Sequence, residues 1–310
     1  MADNDKTKIN RFNTAILIML GLFILSYLLV QVFGLSEKQF GNVAKIKING
    51  IITSEEGNFL GETTLSSSDF RKFIEDAETK SSIKAILVEI NSPGGSPVAS
   101  AEIAESIAKA KKPVVALIRE QGTSGAYWAA SAADKIVAHP LSITGSIGVI
   151  GSYLQFSGFL ERYNISYERL VAGQYKDIGS PLKELTNEEK KLLQGALDEI
   201  YYYFVVSVAH NRNISVEELE KIADGRFYTG MQAKKLGLID ELGGIDEAEE
   251  LLKQLTNISE IHYVEYEKKR TLLDLFSGVL YYQSFAFGEG ITRGILKEEA
   301  TKRINMLSQY

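Results

Sequence analysis

A serine placed between a buried strand and a helix can attack a carbonyl, and the stretch Gly122-Thr123-Ser124-Gly125-Ala126-Tyr127-Trp128-Ala129-Ala130 offers one. The apolar run Pro113-Val114-Val115-Ala116-Leu117-Ile118 precedes it, and small residues continue to Ala133. This order puts Ser124 at the first turn of a helix, where amide N–H groups lack intrahelical partners and the dipole is positive. A developing oxyanion would be stabilised there. The competing reading is that Ser124 is only an N-cap, a position that serine favours.

Nucleophilic serine needs a base within hydrogen-bond reach. The three histidines offer little: His139 precedes Pro140 at a strand end, His210 sits at a helix C-terminus, and His262 lies in the alternating stretch Ile261 to Tyr266. None has a motif-like setting, so a Ser-His-Asp triad is not suggested. A neutral lysine is the other option, and Lys176 in Ala172-Gly173-Gln174-Tyr175-Lys176-Asp177-Ile178-Gly179-Ser180-Pro181 is the candidate. An ordinary lysine, with a pKa of about 10.4, is neutral in only about one molecule in 2,500 at pH 7. Burial must therefore lower it by roughly 3 units, about 4 kcal/mol. Asp177 would oppose that shift, so on an extended segment it is expected to face away from the amine.

No metal or cofactor is indicated: cysteine is absent, and there is neither a His-Glu-x-x-His motif nor a clustered acidic loop. Asn91-Ser92-Pro93-Gly94-Gly95 is not followed by the Gly-Lys-Ser/Thr of a phosphate-binding loop. The net charge of −6 gives no nucleic-acid signature.

The elements that must position these residues alternate. Val43 to Ile52 reads as a strand, Asp69 to Lys80 as an amphipathic helix, and Lys84 to Ile90 as a buried strand running into Asn91-Ser92-Pro93-Gly94-Gly95. A helix over Val98 to Ala110 follows. Strand, turn and helix then repeat around Ser124, and Lys135 to Ala138 leads to Thr144-Gly145-Ser146-Ile147-Gly148-Val149. Such alternation with tight glycine turns predicts an α/β core. Further on, Thr186 with Glu189, Ser215 with Glu218 and Thr229 with Gln232 have capping-box spacing, and Gly237 closes the third helix.

Residues 14–33 carry no charge and are long enough to cross a bilayer as an uncleaved anchor. Lys6, Lys8 and Arg11 lie before the span and Lys38, Lys45 and Lys47 after it, and weighting the nearest charges favours a cytoplasmic N-terminus and an extracytoplasmic domain. The expected plan is a tail over 1–13, an anchor over 14–33, a catalytic domain over 34–254, and a C-terminal strand and amphipathic extension over 255–310. Within the last, 272–287 is too mixed for a second span.

In their order and spacing, Asn91-Ser92-Pro93-Gly94-Gly95, Thr123-Ser124-Gly125-Ala126-Tyr127, Thr144-Gly145-Ser146-Ile147-Gly148-Val149 and Lys176-Asp177-Ile178-Gly179-Ser180-Pro181 carry a resemblance. Ala223-Asp224-Gly225-Arg226 and Ala233-Lys234-Lys235-Leu236-Gly237-Leu238-Ile239-Asp240 extend it. Over roughly residues 43–250 the chain resembles the signal peptide peptidase A (protease IV) family of membrane serine peptidases. The resemblance implies a ClpP/crotonase-like fold, Ser124 as nucleophile, Lys176 as general base, and Ser146 orienting the lysine amine. It implies an oxyanion hole from backbone amides of Gly94, Gly95 and Gly125, no cofactor, and a homo-oligomeric ring with active sites at subunit junctions. Ala126 departs from the glycine common there, which bears on fine geometry. Peptides in or next to the lipid bilayer, such as signal-peptide remnants, are the implied substrates. The alternatives are a crotonase-like acyl-CoA-binding enzyme and a non-catalytic membrane scaffold.

Overall fold

The computed structural model describes residues 14, 16–27, 41–55, 58–59, 62–63 and 66–267. Residues 16–27, within the expected anchor, are helical; the anchor's remainder and the stretch 272–287 lie outside the described residues. Among the described residues no helix is long and apolar enough to cross a membrane.

The chain runs through β1 (Val43–Ile52), a short antiparallel pair β2 (Asn58–Phe59) and β3 (Glu62–Thr63), α1 (Ser67–Thr79), β4 (Ala85–Gly95) and α2 (Pro97–Ala108). It continues with β5 (Val114–Thr123), α3 (Gly125–Ser131), β6 (Lys135–Ala138), β7 (Ile143–Gly145), α4 (Ser157–Arg162), α5 (Asn187–Arg212) and α6 (Val216–Glu220). β8 (Phe227–Thr229), α7 (Gly230–Lys235), β9 (Glu241–Leu242), α8 (Ile245–Thr256) and β10 (Tyr263–Tyr266) follow. A parallel sheet in the order β10-β1-β4-β5-β6-β9 forms the centre, so β10 adds an edge strand beyond residue 254. β7 pairs parallel to the end of β5 and antiparallel to β8.

Parallel strands covered on both faces must be apolar on both, which explains the unbroken hydrophobic runs. Ala44, Ile46, Ile48, Ile86, Val88, Ile90, Ala116 and Ile118 pack with apolar residues of α1, α2, α3 and α5. Val43, Leu87, Val115, Leu117 and Val137 pack with Ala248 and Leu252 of α8. Each such isoleucine or leucine contributes about 1.5–3 kcal/mol. α1 buries Phe70, Ile74 and Ala77 and is capped by the Ser66 hydroxyl, which accepts from Asp69 N at 3.2 Å. The capping boxes at Thr186 and Thr229 are formed, and Ser215 caps α6.

The sequence pattern places a loop after Ile90, whereas β4 continues through Gly95. Ile51 pairs with Gly94 and Ile52 with Gly95 after a register shift. Glycine is what permits this approach, because a Cβ on Gly95 would lie 2.0 Å from Ile52 O.

Candidate active site

Ser124 stands between β5 and α3 with φ 54° and ψ −127°. Although it occupies the N-cap position of α3, its side chain makes no capping hydrogen bond. Five described non-glycine residues have positive φ; three are asparagines, which tolerate it, and the other two are Ser124 and Ser146. A conformation of this kind costs about 1–3 kcal/mol and persists only where its surroundings enforce it. Here Ser124 N donates to Gly145 O at 2.8 Å, and Trp128 N donates to Ser124 O at 3.0 Å. The following turn is immobilised by fully buried Tyr127, whose hydroxyl donates to Leu238 O at 2.8 Å, and whose phenol is kept neutral because burial pushes its pKa up. Trp128 stacks on Phe204 at 4.5 Å and donates to Ser207 Oγ at 2.8 Å.

Gly94, Gly95 and Gly125 gather beside this serine. A Cβ on Gly94, whose φ is +96°, would lie 2.7 Å from Gly125 N and 3.0 Å from Ser124 Cβ. A Cβ on Gly125 would lie 2.0 Å from Ser100 Oγ and 3.4 Å from Gly95 N. No side chain fits at either position without displacing the serine or its neighbours. The Gly94 amide donates to the buried Ser92 hydroxyl at 3.1 Å, and Thr123 Oγ1 donates to Pro93 O at 3.2 Å, so both sides of the glycine pair are fixed.

Ser146 follows the strand pair Thr123–Gly145 on the other side of Ser124. Its φ is 52°, its amide donates to Arg226 O at 2.9 Å, and its hydroxyl donates to Gly225 O at 3.2 Å. The Asp224-Gly225-Arg226 turn, legible in the sequence only as part of the family resemblance, therefore sets the conformation of Ser146. Asp240, at the end of another such motif, serves the scaffold, accepting from Ile136 N at 2.8 Å and pairing with Arg212 at 2.9 Å. Burial acts to raise its pKa, but the Arg212 hydrogen bond and charge outweigh it and leave the carboxyl below the ordinary range.

Lys176 lies exposed on a turn-rich segment, and among the described residues no hydrogen bond or ion pair joins it to Ser124 or Ser146. The segment is not extended, so alternation does not decide where Asp177 points. Instead Arg169 captures its carboxylate at 2.6 Å and holds its pKa down at about 2. Four of the six expected site positions, Ser124, Gly94, Gly95 and Gly125, are thus brought together, Ser146 adjoins them, and among the described residues no hydrogen bond or ion pair ties Lys176 to them. Ser92, Ser100 and the carbonyl of Gly225 were missed because their contacts arise from tertiary approach, not local pattern. The three histidines are exposed.

Residues 106–259 match the family model for Peptidase family S49. The chain is 41% identical to the "Putative protease MJ0651" of Methanocaldococcus jannaschii over 76% of each protein. It is 34% identical to the "Putative signal peptide peptidase SppA" of Enterococcus faecium, over 74% of this chain and 68% of that one. With "Protease 4" of Salmonella typhi it shares 35% identity over 76% of this chain but only 38% of the longer relative.

Proposed function

The chain belongs to peptidase family S49, the signal peptide peptidase A family, and on that premise we propose that it is a membrane-anchored serine endopeptidase with a Ser124/Lys176 dyad. Its substrates on this reading are signal-peptide remnants or other peptides released at the membrane, and its catalytic domain lies outside the cytoplasm. The observation that carries the proposal is Ser124 itself: held at φ 54° in the N-cap position, yet making no cap. Strain without a structural return is expected of a nucleophile, not of a helix-capping serine.

In the reaction, Lys176 Nζ takes the proton of Ser124 Oγ as Oγ attacks the scissile carbonyl. The tetrahedral oxyanion accepts hydrogen bonds from the Gly95 and Gly125 amides, while Gly94 supplies the conformation that brings them together. Lys176 returns the proton to the leaving amine, and the acyl-enzyme is then hydrolysed by a water that Lys176 deprotonates. The Ser146 proton is committed to Gly225 O, so its hydroxyl offers only lone pairs. It would accept an N–H of the neutral amine and leave the lysine lone pair free for Ser124.

The exposure of Lys176 supports a dyad completed between copies in a homo-oligomeric ring. Burial against the neighbour would supply the desolvation that a lysine base requires. The same segment exposes Ile150, Leu154 and Leu170 at 90, 74 and 95%, apolar surface suited to such a contact. The test uses the full chain with an unfolded polypeptide as substrate. Ser124→Ala and Lys176→Ala should each be folded and inactive alone, and mixing them under subunit exchange should restore turnover. Retention of activity by either variant contradicts the dyad; failure of mixing to restore it, with exchange demonstrated, contradicts sharing.

A further inference from the structure

Lys176 sits in a coil of i to i+3 hydrogen bonds: Lys176 N donates to Gly173 O at 3.1 Å, Ile178 N to Tyr175 O at 3.1 Å, and Ser180 N to Asp177 O at 3.0 Å. Gly173 and Gly179 mark its ends with φ of +97° and +79°. Side chains tie this coil down on both sides of the lysine. Arg169 donates from Nε to Asp177 Oδ2 at 2.6 Å, from Nη2 to Asp177 Oδ1 at 2.8 Å, and from Nη2 to Gln174 O at 3.0 Å. Lys183 Nζ lies 3.6 Å from Asp177 Oδ1 and also binds Glu189, whose side chain is only 4% exposed. Glu189 in turn accepts from Thr186 N at 2.9 Å in the capping box of α5. The Tyr175 hydroxyl binds Glu188 in that same helical turn.

We propose that Arg169, Asp177, Lys183 and Glu189 are positioning residues: a relay that fixes the Lys176 backbone to the start of α5 and cancels charge around the amine. The proposal rests on Lys176 being the base. Gln174, Tyr175 and Asp177 are all tethered, whereas the Lys176 side chain makes no hydrogen bond or ion pair among the described residues. The relay therefore holds the stem and leaves the amine to be delivered. Its two cations and two anions balance, and Glu188 beside them accepts from neutral Tyr175. An uncompensated Asp177 next to Lys176 would stabilise the ammonium and suppress the base; pairing with Arg169 removes that field.

The two ends of the Arg169–Asp177 pair should then act with opposite sign. Asp177→Asn leaves Arg169 and Lys183 in surplus, so the amine loses its proton at lower pH. Arg169→Gln leaves the carboxylates in surplus, so the proton is held to higher pH. We expect kcat/KM of the full chain on an unfolded labelled polypeptide to fall about 10- to 100-fold in both, from misplacement of the base. The midpoint of its alkaline rise should move by about half a unit, downward in Asp177→Asn and upward in Arg169→Gln. Arg169→Lys, which keeps the charge and loses the fork, should lower kcat with the midpoint unmoved. Equal falls with fixed midpoints, or wild-type rates, overturn the relay. If Asp177→Asn does not fold, Arg169→Gln decides, since only an upward shift supports the proposal. Ser124→Ala and Lys176→Ala run alongside: activity in either sinks the dyad reading and the relay with it, whereas two inactive controls leave the relay to be judged by its own midpoints.

Discussion

At Ser124 the backbone adopts a conformation that a side chain resists, and stability measurements can separate the reasons for it. With the backbone strained and the hydroxyl capping nothing, Ser124→Gly should raise stability by about 1 kcal/mol, while Ser124→Ala stays within about 0.5 kcal/mol of wild type. A serine serving as a helix cap gives the opposite order: alanine would cost about 1 kcal/mol and glycine would gain nothing. Chemical denaturation of the three proteins distinguishes the two. Gly125 offers a second test, because its Cα approaches Ser100 so closely that a methyl group would fall 2.0 Å from Ser100 Oγ. Gly125→Ala should therefore cost about 1–3 kcal/mol, and Ser100→Gly should recover part of it in a double-mutant cycle. No recovery would mean that the crowding lies elsewhere. Ser124 and Gly125 were legible from their residue types between an apolar run and a helix. Ser100 was not, since only the packing of α2 on α3 brings it there.

The capping boxes at Thr186 and Thr229 could be read directly because each rests on contacts within a few residues, and the strands β1 and β6 because their own apolar residues mark them whatever they pair with. The continuation of β4 through Gly95 could not, because glycine and proline signal a turn locally and only the pairing with β1 makes them a strand. The segment around Lys176 shows the same limit. Its extended reading failed because Arg169 and Lys183 fold it around Asp177, a tertiary choice. This segment should also be acid-sensitive. The folded pKa of Asp177 is lowered to about 2 by the Arg169 hydrogen bond, and that of Glu189 is lowered by Lys183 and Thr186. A carboxylate with a depressed folded pKa contributes stability above its ordinary pKa near 4 and loses it as pH falls through the folded value. Hydrogen-exchange protection of residues 173–180, corrected for intrinsic rates, should thus decline between about pH 4 and pH 2, earlier than that of β4 and β5. Protection lost already at pH 6, or unchanged at pH 2, contradicts this.

The whole molecule divides its labour between a sheet whose strand ends hold Ser124 and Ser146 at positive φ and an exposed, charge-tied segment that carries Lys176. The alternation of strands and helices announced the α/β core, and the family relationship agrees with it. That Lys176 lies exposed, with no hydrogen bond to Ser124 or Ser146 among the described residues, was not legible in either stretch alone, since side-chain partners are set by tertiary packing. The proposed chemistry requires Ser124 and Lys176 to act as one unit. The most direct measurement is covalent labelling of the full chain by a fluorophosphonate, located by peptide mass analysis, from pH 7 to pH 9. A Ser124/Lys176 dyad gives a single adduct at Ser124, formed faster as pH rises, and none in Lys176→Ala. An adduct on another residue, or a Lys176→Ala protein labelled at the wild-type rate, would contradict it.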